Sequence, residues 1–131
     1  ELDMALIAHA RLPIRTFGET NLRQSYITRE RHRKQKMLVH QSLRVPPLDR
    51  KPLLVVLTRI SPRRLDEHDT LAYSLKWIAD AVAEKLVPGK RVGQADSSKN
   101  ISWEYMQVRG KVREYAVDIR IFEKEESENG S

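Results

Sequence analysis

Residues 53–86 constrain the fold of this chain more than any other segment. Leu53–Ile60 has the sequence LLVVLTRI, which is rich in leucine and β-branched residues and lies between prolines. Such a composition is typical of a buried β-strand. From Asp69 onward, apolar residues recur at helical spacing until Pro88 and Gly89: they are Leu71, Leu75, Ile78, Val82 and Leu86. The segment therefore predicts a buried strand followed by an amphipathic helix.

Four further elements are indicated by weaker patterns. Residues 11–17 predict a first strand, and the segment from Thr28, which we expect to be an N-cap, predicts a helix that stops before Pro46. Ile101–Val108 and Val112–Phe122 alternate as strands do, and residues 109–111 between them predict a hairpin turn. The order strand, helix, strand, helix, strand, strand predicts an α+β domain in which helices flank one mixed β-sheet.

The length and composition of the chain set the domain organisation. The chain has 131 residues, of which 40% are hydrophobic, enough for one core and too few for two ordinary domains. We expect one domain over residues 1–122. Residues 123–131 have the sequence EKEESENGS, and this acidic tail is predicted to be disordered.

The charge balance indicates an anionic partner. The formal net charge is +6, and without the four glutamates and one lysine of residues 123–131 there remain 23 basic and 14 acidic side chains. An excess of this kind favours a polyanion such as nucleic acid, although many basic domains bind none. The chain has no cysteine, which excludes disulfides, thiolate metal sites and cysteine nucleophiles. The longest apolar run, Leu53–Leu57, is too short to cross a bilayer and no signal pattern is visible, so we expect a soluble cytoplasmic protein.

The second predicted helix carries a row of polar residues opposite its apolar stripe. Asp69, Tyr73, Lys76 and Asp80 fall within about 60° of one another if each residue turns the helix by about 100°. The simplest interpretation is a solvated face with an i,i+4 pair between Lys76 and Asp80. The functional interpretation is that these side chains belong to an active site.

The position of the acidic residues favours the functional interpretation. Asp66, Glu67, His68 and Asp69 lie between a buried strand and the start of a helix, where ligand sites often form. Carboxylates without cysteine suit a hard cation such as Mg²⁺ rather than zinc. Such an ion promotes phosphodiester cleavage, and Lys76 would add a positive charge for the phosphate or the attacking water. Asp96, in the polar loop 90–99, is a candidate for a further ligand.

The first predicted helix supplies a candidate DNA-binding surface. Five cations occur within eight positions: Arg29, Arg31, Arg33, Lys34 and Lys36. Contacts of such side chains with phosphates give a salt-dependent affinity that is largely independent of sequence. A basic face that is merely solvated is the alternative.

Two segments resemble the phage RusA-like Holliday-junction resolvases. The segment 60–83, ISPRRLDEHDTLAYSLKWIADAVA, resembles a signature in which a strand leads into Arg-Xaa-Leu-Asp-Asp-Asp-Asn-Leu and then a helix with lysine and aspartate. The segment 93–110, GQADSSKNISWEYMQVRG, resembles the acidic loop of that family and its following strand, Trp-Xaa-Tyr-Xaa-Gln. Together the two segments cover 42 of the 131 residues, about a third of the chain.

The resemblance implies a function, a metal and a set of site residues. It implies a RusA-like α+β fold, a homodimer that uses Mg²⁺ or Mn²⁺, and endonucleolytic cleavage of branched double-stranded DNA at four-way junctions in DNA recombination and repair within a bacterial host cell. By position it implies that Asp69, Lys76 and Asp96 are catalytic. It further implies metal ligands at Asp69, Asp96, Glu67, Asp66 and Asp80.

The chain also departs from the family pattern. Thr70 replaces the usual asparagine, His68 takes a position that is often acidic, and Ala95 and Ser97 replace acids around the loop aspartate. Fewer carboxylates predict weaker metal binding and therefore reduced activity. The alternative function is a non-catalytic DNA-binding or assembly protein that keeps the fold. A basic RNA-binding domain is a third interpretation, which the aromatic residues do not favour.

Overall fold

The chain forms a four-stranded mixed β-sheet with helices against one face. The structure is a computed structural model, and it describes residues 4–16, 26–45, 52–65, 69–87 and 101–124. The elements in chain order are β1 (Met4–Leu12), α1 (Tyr26–Ser42), β2 (Leu53–Ser61), α2 (Asp69–Ser74), α3 (Lys76–Leu86), β3 (Ile101–Arg109) and β4 (Ala116–Lys124). The predicted α+β class with a mixed sheet is confirmed. The predicted buried strand is also confirmed, and it extends one residue further, to Ser61.

The sheet has the strand order β1-β4-β2-β3. The central strand β2 is antiparallel to β4 and parallel to β3, so that Leu57 lies opposite Ile119 on one side and Tyr105 on the other. Strand β1 is antiparallel to β4 at the outer edge, with an irregularity in the register between Leu6 and Ala8. Because β2 has a neighbour on both sides, its backbone N–H and C=O groups can pair with β3 and β4. A buried apolar strand needs such pairing, since water does not reach its backbone.

The predicted hairpin between the last two strands is wrong. Strand β2 lies between β3 and β4, and the connection over residues 110–115 passes the end of β2. There the Gly110 N–H donates to the carbonyl of Ser61 over 2.9 Å. A Cβ at Gly110 would lie 3.1 Å from the Ile60 side chain and 2.9 Å from Glu114 Oε1, so a larger residue at this crossing would require both neighbours to shift.

The predictions for the first strand and first helix need correction. Strand β1 covers Met4–Leu12 instead of 11–17, and its buried positions include Ala8 and Leu12. Helix α1 begins at Tyr26, so Thr28 is a buried residue within the helix and not its N-cap. Alanine has a low strand propensity, which made the alternation of β1 hard to recognise.

The predicted apolar stripe packs into the core, although its helix is divided. Leu75 separates α2 from α3; its N–H donates to the Ala72 carbonyl, and its own carbonyl accepts from Ala79. The core that the stripe enters is formed by β2, β4 and both longer helices, with Val39, Val55, Leu57, Leu75, Ile78, Val82, Val117, Ile119 and Ile121 all almost fully buried. Each such side chain contributes about 1.5–3 kcal/mol relative to exposure.

The predicted boundary of the acidic tail also shifts. Glu123 and Lys124 belong to β4, where the Lys124 N–H donates to the Pro52 carbonyl over 2.9 Å. Residues 125–131 lie outside the described ranges. Among the described helices, none has the length and apolar character needed to span a bilayer.

Candidate functional site

The strands β1, β2 and β3 end, and β4 begins, at one margin of the sheet, which we call the strand-end rim. The register places Leu12 opposite Val117 and Ser61 opposite Arg109 at this rim. From Ser61 the chain continues through Leu65 towards residues 66–68, which precede α2 and which we call the acidic segment. The carboxyl ends of strands are a frequent location of ligand sites in sheets flanked by helices.

Gln107 of β3 holds the backbone immediately before the acidic segment. Its side-chain oxygen accepts from the Leu65 N–H at 2.9 Å, and its side-chain nitrogen donates to the Leu65 carbonyl at 2.7 Å. A side-chain amide that satisfies both backbone groups of one residue imitates the pairing of a neighbouring strand. Leu65, the residue before Asp66, is therefore fixed to the sheet.

Most of the predicted metal ligands lie beyond the described residues. Asp66, Glu67 and Asp96 are outside the described ranges, as are Ala95 and Ser97. Asp69 is the first residue of α2, although its side chain is not described. In the described ranges, no three histidine, aspartate or glutamate side chains converge as a metal site would require. The predicted ligand set therefore stays a prediction.

Lys76 and Asp80 form an ion pair on α3. Lys76 Nζ lies 3.5 Å from Asp80 Oδ2, and it also lies 4.7 Å from the centre of the Trp77 ring. The two residues differ in environment, because Lys76 is about half exposed and Asp80 is 3% exposed. A buried carboxylate needs a nearby positive charge or hydrogen-bond donors to stay ionised, and Lys76 supplies a charge.

The burial of Asp80 corrects the predicted solvated row on this helix. Tyr73 and Lys76 are exposed as expected, but Asp80 faces the interior. The turn at Leu75 changes the phase between α2 and α3, and six consecutive residues from Ile78 to Ala83 are buried. Helix α3 packs against α1 as well as the core, so little of it faces solvent.

The five predicted DNA-binding cations of α1 differ in their environments. Arg29 and Lys34 have exposed side chains. Arg33 is exposed and pairs with Glu30 one turn earlier, which lowers the pKa of the Glu30 carboxyl. Arg31 is half-buried. Lys36 lies within the helix interface, with Nζ 3.0 Å from Glu84 Oε1 of α3.

Other contacts join α1 firmly to α3. The His32 and Trp77 rings stack with centroids 4.2 Å apart, and Lys85 donates to the carbonyl of His40 at 2.8 Å. The helix that carries the exposed cations is therefore fixed to the helix that carries Lys76 and Asp80.

A buried arginine at the rim was missed by the sequence analysis. Arg59 of β2 donates from Nε to Thr16 Oγ1 at 3.0 Å and from Nη1 to the Arg63 carbonyl at 2.6 Å. Next to it, the Arg15 guanidinium lies 4.4 Å above the ring of Tyr115. The only signal in the sequence was one charged residue at an inward position of an otherwise apolar strand.

The sheet face opposite the helices exposes apolar side chains. Met4 and Leu6 of β1 and Met106 and Val108 of β3 are each about half exposed there. Several charged groups of this face have partners on it: Arg11 pairs with Glu114, and Asp118 pairs with Arg120 and forms a hydrogen bond with the His9 ring. A surface that combines exposed apolar groups with paired charges suits burial against another protein surface.

Comparison with protein-family models, with curated proteins and with solved structures finds no match to this chain. The functional argument therefore depends on the motifs in the sequence and on the geometry of the described residues.

Proposed function

We propose that this chain is a metal-dependent endonuclease that cleaves phosphodiester bonds in branched double-stranded DNA, as its resemblance to RusA-like resolvases implies. One observation carries the proposal: the described residues on either side of the acidic segment are held in the fold. Gln107 fixes Leu65 on its N-terminal side, and Asp69 begins α2 on its C-terminal side. A site that must hold carboxylates in place needs this kind of support.

The available donors fit a hard divalent cation. Asp66, Glu67, Asp69, Asp80 and Asp96 would hold it, and all of them offer carboxylate oxygens. Asp80 offers a buried carboxylate on α3, one turn after Lys76. When bound, Mg²⁺ or Mn²⁺ would supply Lewis-acid stabilisation and an activated water.

Lys76 is the residue that we propose to act on the DNA. Its side chain is about half exposed, so Nζ can contact both Asp80 and a phosphate outside the protein. A fixed ammonium group stabilises negative charge that develops on the phosphate during displacement. The ion pair with Asp80 holds Nζ near the carboxylate that we propose as a ligand.

Helix α1 provides the sequence-independent part of DNA binding. Arg29 and Lys34 are exposed, and α1 is fixed to α3 by the His32–Trp77 stack. Cations on a rigid helix next to the proposed catalytic helix would bind phosphates of the same DNA molecule.

The homodimer that the resemblance implies would use the exposed sheet face. Two cuts at a four-way junction require two sites related by a twofold axis. The exposed residues Met106 and Val108 offer apolar area, and the paired charges around them avoid repulsion between two copies of the same face.

A non-catalytic DNA-binding protein is the second candidate. The ion pair between Lys76 and Asp80 favours it, because the Lys76 ammonium balances the charge of the buried carboxylate without a metal. In that case the exposed cations of α1 bind DNA and the acids have a structural role.

A cleavage assay with a labelled four-way junction separates the two candidates. We expect the wild type to nick the junction in Mg²⁺ or Mn²⁺ and not in EDTA, and Lys76→Ala to nick about 10²-fold more slowly. Lys124→Ala removes the same charge at the margin of the sheet opposite the strand-end rim and should retain activity. Binding without nicking by the wild type would support the non-catalytic candidate, and a failure to bind branched DNA would contradict both.

A further inference from the structure

Arg59 occupies an inward position of the sheet where apolar side chains are expected. It follows Val55 and Leu57 on the helix-facing side of β2, and it is 5% exposed. Its two hydrogen bonds go to neutral oxygens, the Thr16 hydroxyl and the Arg63 carbonyl. The guanidinium is thus buried and held in a fixed orientation by groups that carry no charge.

The surroundings of Arg59 do not balance its charge. Among the described residues, no carboxylate forms an ion pair with it. Burial lowers the pKa of Arg59 from its ordinary value; the Tyr115 phenol partly offsets this effect, and the neighbouring charge of Arg15 lowers the pKa further. A buried cation without a carboxylate partner among the described residues is costly, and an anion beside it would relieve that cost.

Arg15 is placed to take part in binding an anion. Its side chain is exposed, its guanidinium lies on the Tyr115 ring, and its carbonyl accepts from Gln35 of α1 at 3.3 Å. The ring contact and the backbone contact fix its position relative to Arg59. Arg15 therefore lies next to the buried charge with its side chain exposed.

We infer that Arg59 and Arg15 form an oxyanion site for a phosphate group at the strand-end rim. The guanidinium group suits this ligand, because its planar array of N–H donors matches the geometry of phosphate oxygens. Arg59 also binds the Arg63 carbonyl, two residues before Leu65, so the site adjoins the acidic segment. Its role in DNA binding rests on the proposed nuclease function, in which the phosphate would belong to the cleaved strand or its neighbour.

Inorganic phosphate tests the site without DNA. Titration of the full chain with sodium phosphate, against sodium chloride at equal ionic strength, should raise the unfolding temperature of the wild type. Arg15→Gln should weaken phosphate binding about tenfold, which corresponds to about 1.4 kcal/mol. Arg44→Gln removes the same charge after the end of α1 and should bind phosphate as the wild type does. Arg59→Lys should also weaken phosphate binding. If the Arg59 variant unfolds, Arg15→Gln alone tests the site, because Arg15 is exposed and its replacement should leave the fold intact.

The outcomes distinguish this site from the proposed nuclease function. Equal stabilisation of the wild type and Arg15→Gln by phosphate, or no stabilisation of the wild type, would overturn the oxyanion site even if junctions are cut. Phosphate binding that Arg15→Gln weakens would support the site even if junctions are never cut. If junctions are cut as well, Arg15→Gln should raise the DNA concentration needed for half-maximal nicking, and Arg44→Gln should not.

Discussion

Replacement of Gln107 by leucine tests whether β3 holds the acidic segment in place. The change removes both hydrogen bonds to Leu65, at 2.9 and 2.7 Å, and leaves a side chain of similar size. A hydrogen bond contributes about 0.5–1.5 kcal/mol net, so two contribute about 1–3 kcal/mol. Gln107 is only half-buried, and water can replace part of the loss, so we expect about 1–2 kcal/mol.

Two further variants make the test specific. Gln107→Glu keeps an acceptor for the Leu65 N–H but turns a carboxylate oxygen towards the Leu65 carbonyl, so it should lose at least as much stability as Gln107→Leu. Glu104→Leu is the control, since Glu104 is an exposed residue of the same strand. Its free energy of unfolding should stay within about 0.5 kcal/mol of the wild type.

Urea denaturation with and without Mn²⁺ provides both readouts. The free energy of unfolding reports the two hydrogen bonds, and the additional stability in Mn²⁺ reports metal affinity. If Gln107 positions the acidic segment, Gln107→Leu should weaken Mn²⁺ binding about tenfold while Glu104→Leu leaves it unchanged. A Gln107→Leu variant with the stability and Mn²⁺ affinity of the wild type would refute the anchoring argument.

Two other predictions concern DNA affinity and assembly. Arg29→Ala and Lys34→Ala should each lower the salt slope of DNA binding by about one. Lys36→Ala should leave the slope unchanged, because the Lys36 ammonium is held by the Glu84 carboxylate of α3. Equal slopes for all three variants would show that the binding surface is not on α1. Met106→Lys should shift the protein from dimers to monomers in sedimentation velocity, and Met37→Lys, at a similarly exposed position of α1, should not. A wild-type protein that sediments as a monomer would refute the proposed dimer.

The central strand shows what the sequence pattern could predict. Of the five consecutive apolar residues Leu53–Leu57, all but Val56 are buried, and that pattern was recognised without the structure. The pairing of the strand was not recognised, since a short polar connection between β3 and β4 favours a local hairpin. The structure places β2 between them, because β2 needs a neighbour on each side and only non-local pairing supplies both.

The candidate site shows where periodicity alone fails. Spacing placed Lys76 and Asp80 on one helix face, and their ion pair confirms that they are neighbours. Spacing could not reveal that Leu75 interrupts the helix or that α1 covers α3, and these two features bury Asp80. Arg59 was missed for a related reason, since its partners are the Thr16 hydroxyl and a backbone carbonyl, which leave no pattern in the sequence.

Cleavage and binding of a four-way junction by Asp69→Asn test the central claim most directly. The change removes one negative charge from the first residue of α2, so the cation loses a proposed ligand and the DNA phosphates meet less repulsion. We predict that nicking in Mg²⁺ or Mn²⁺ is abolished, while the affinity for the junction measured in EDTA is unchanged or slightly higher. Nicking by Asp69→Asn at the rate of the wild type, or a wild type that binds junctions and never nicks them between neutral and alkaline pH, would contradict the proposed nuclease.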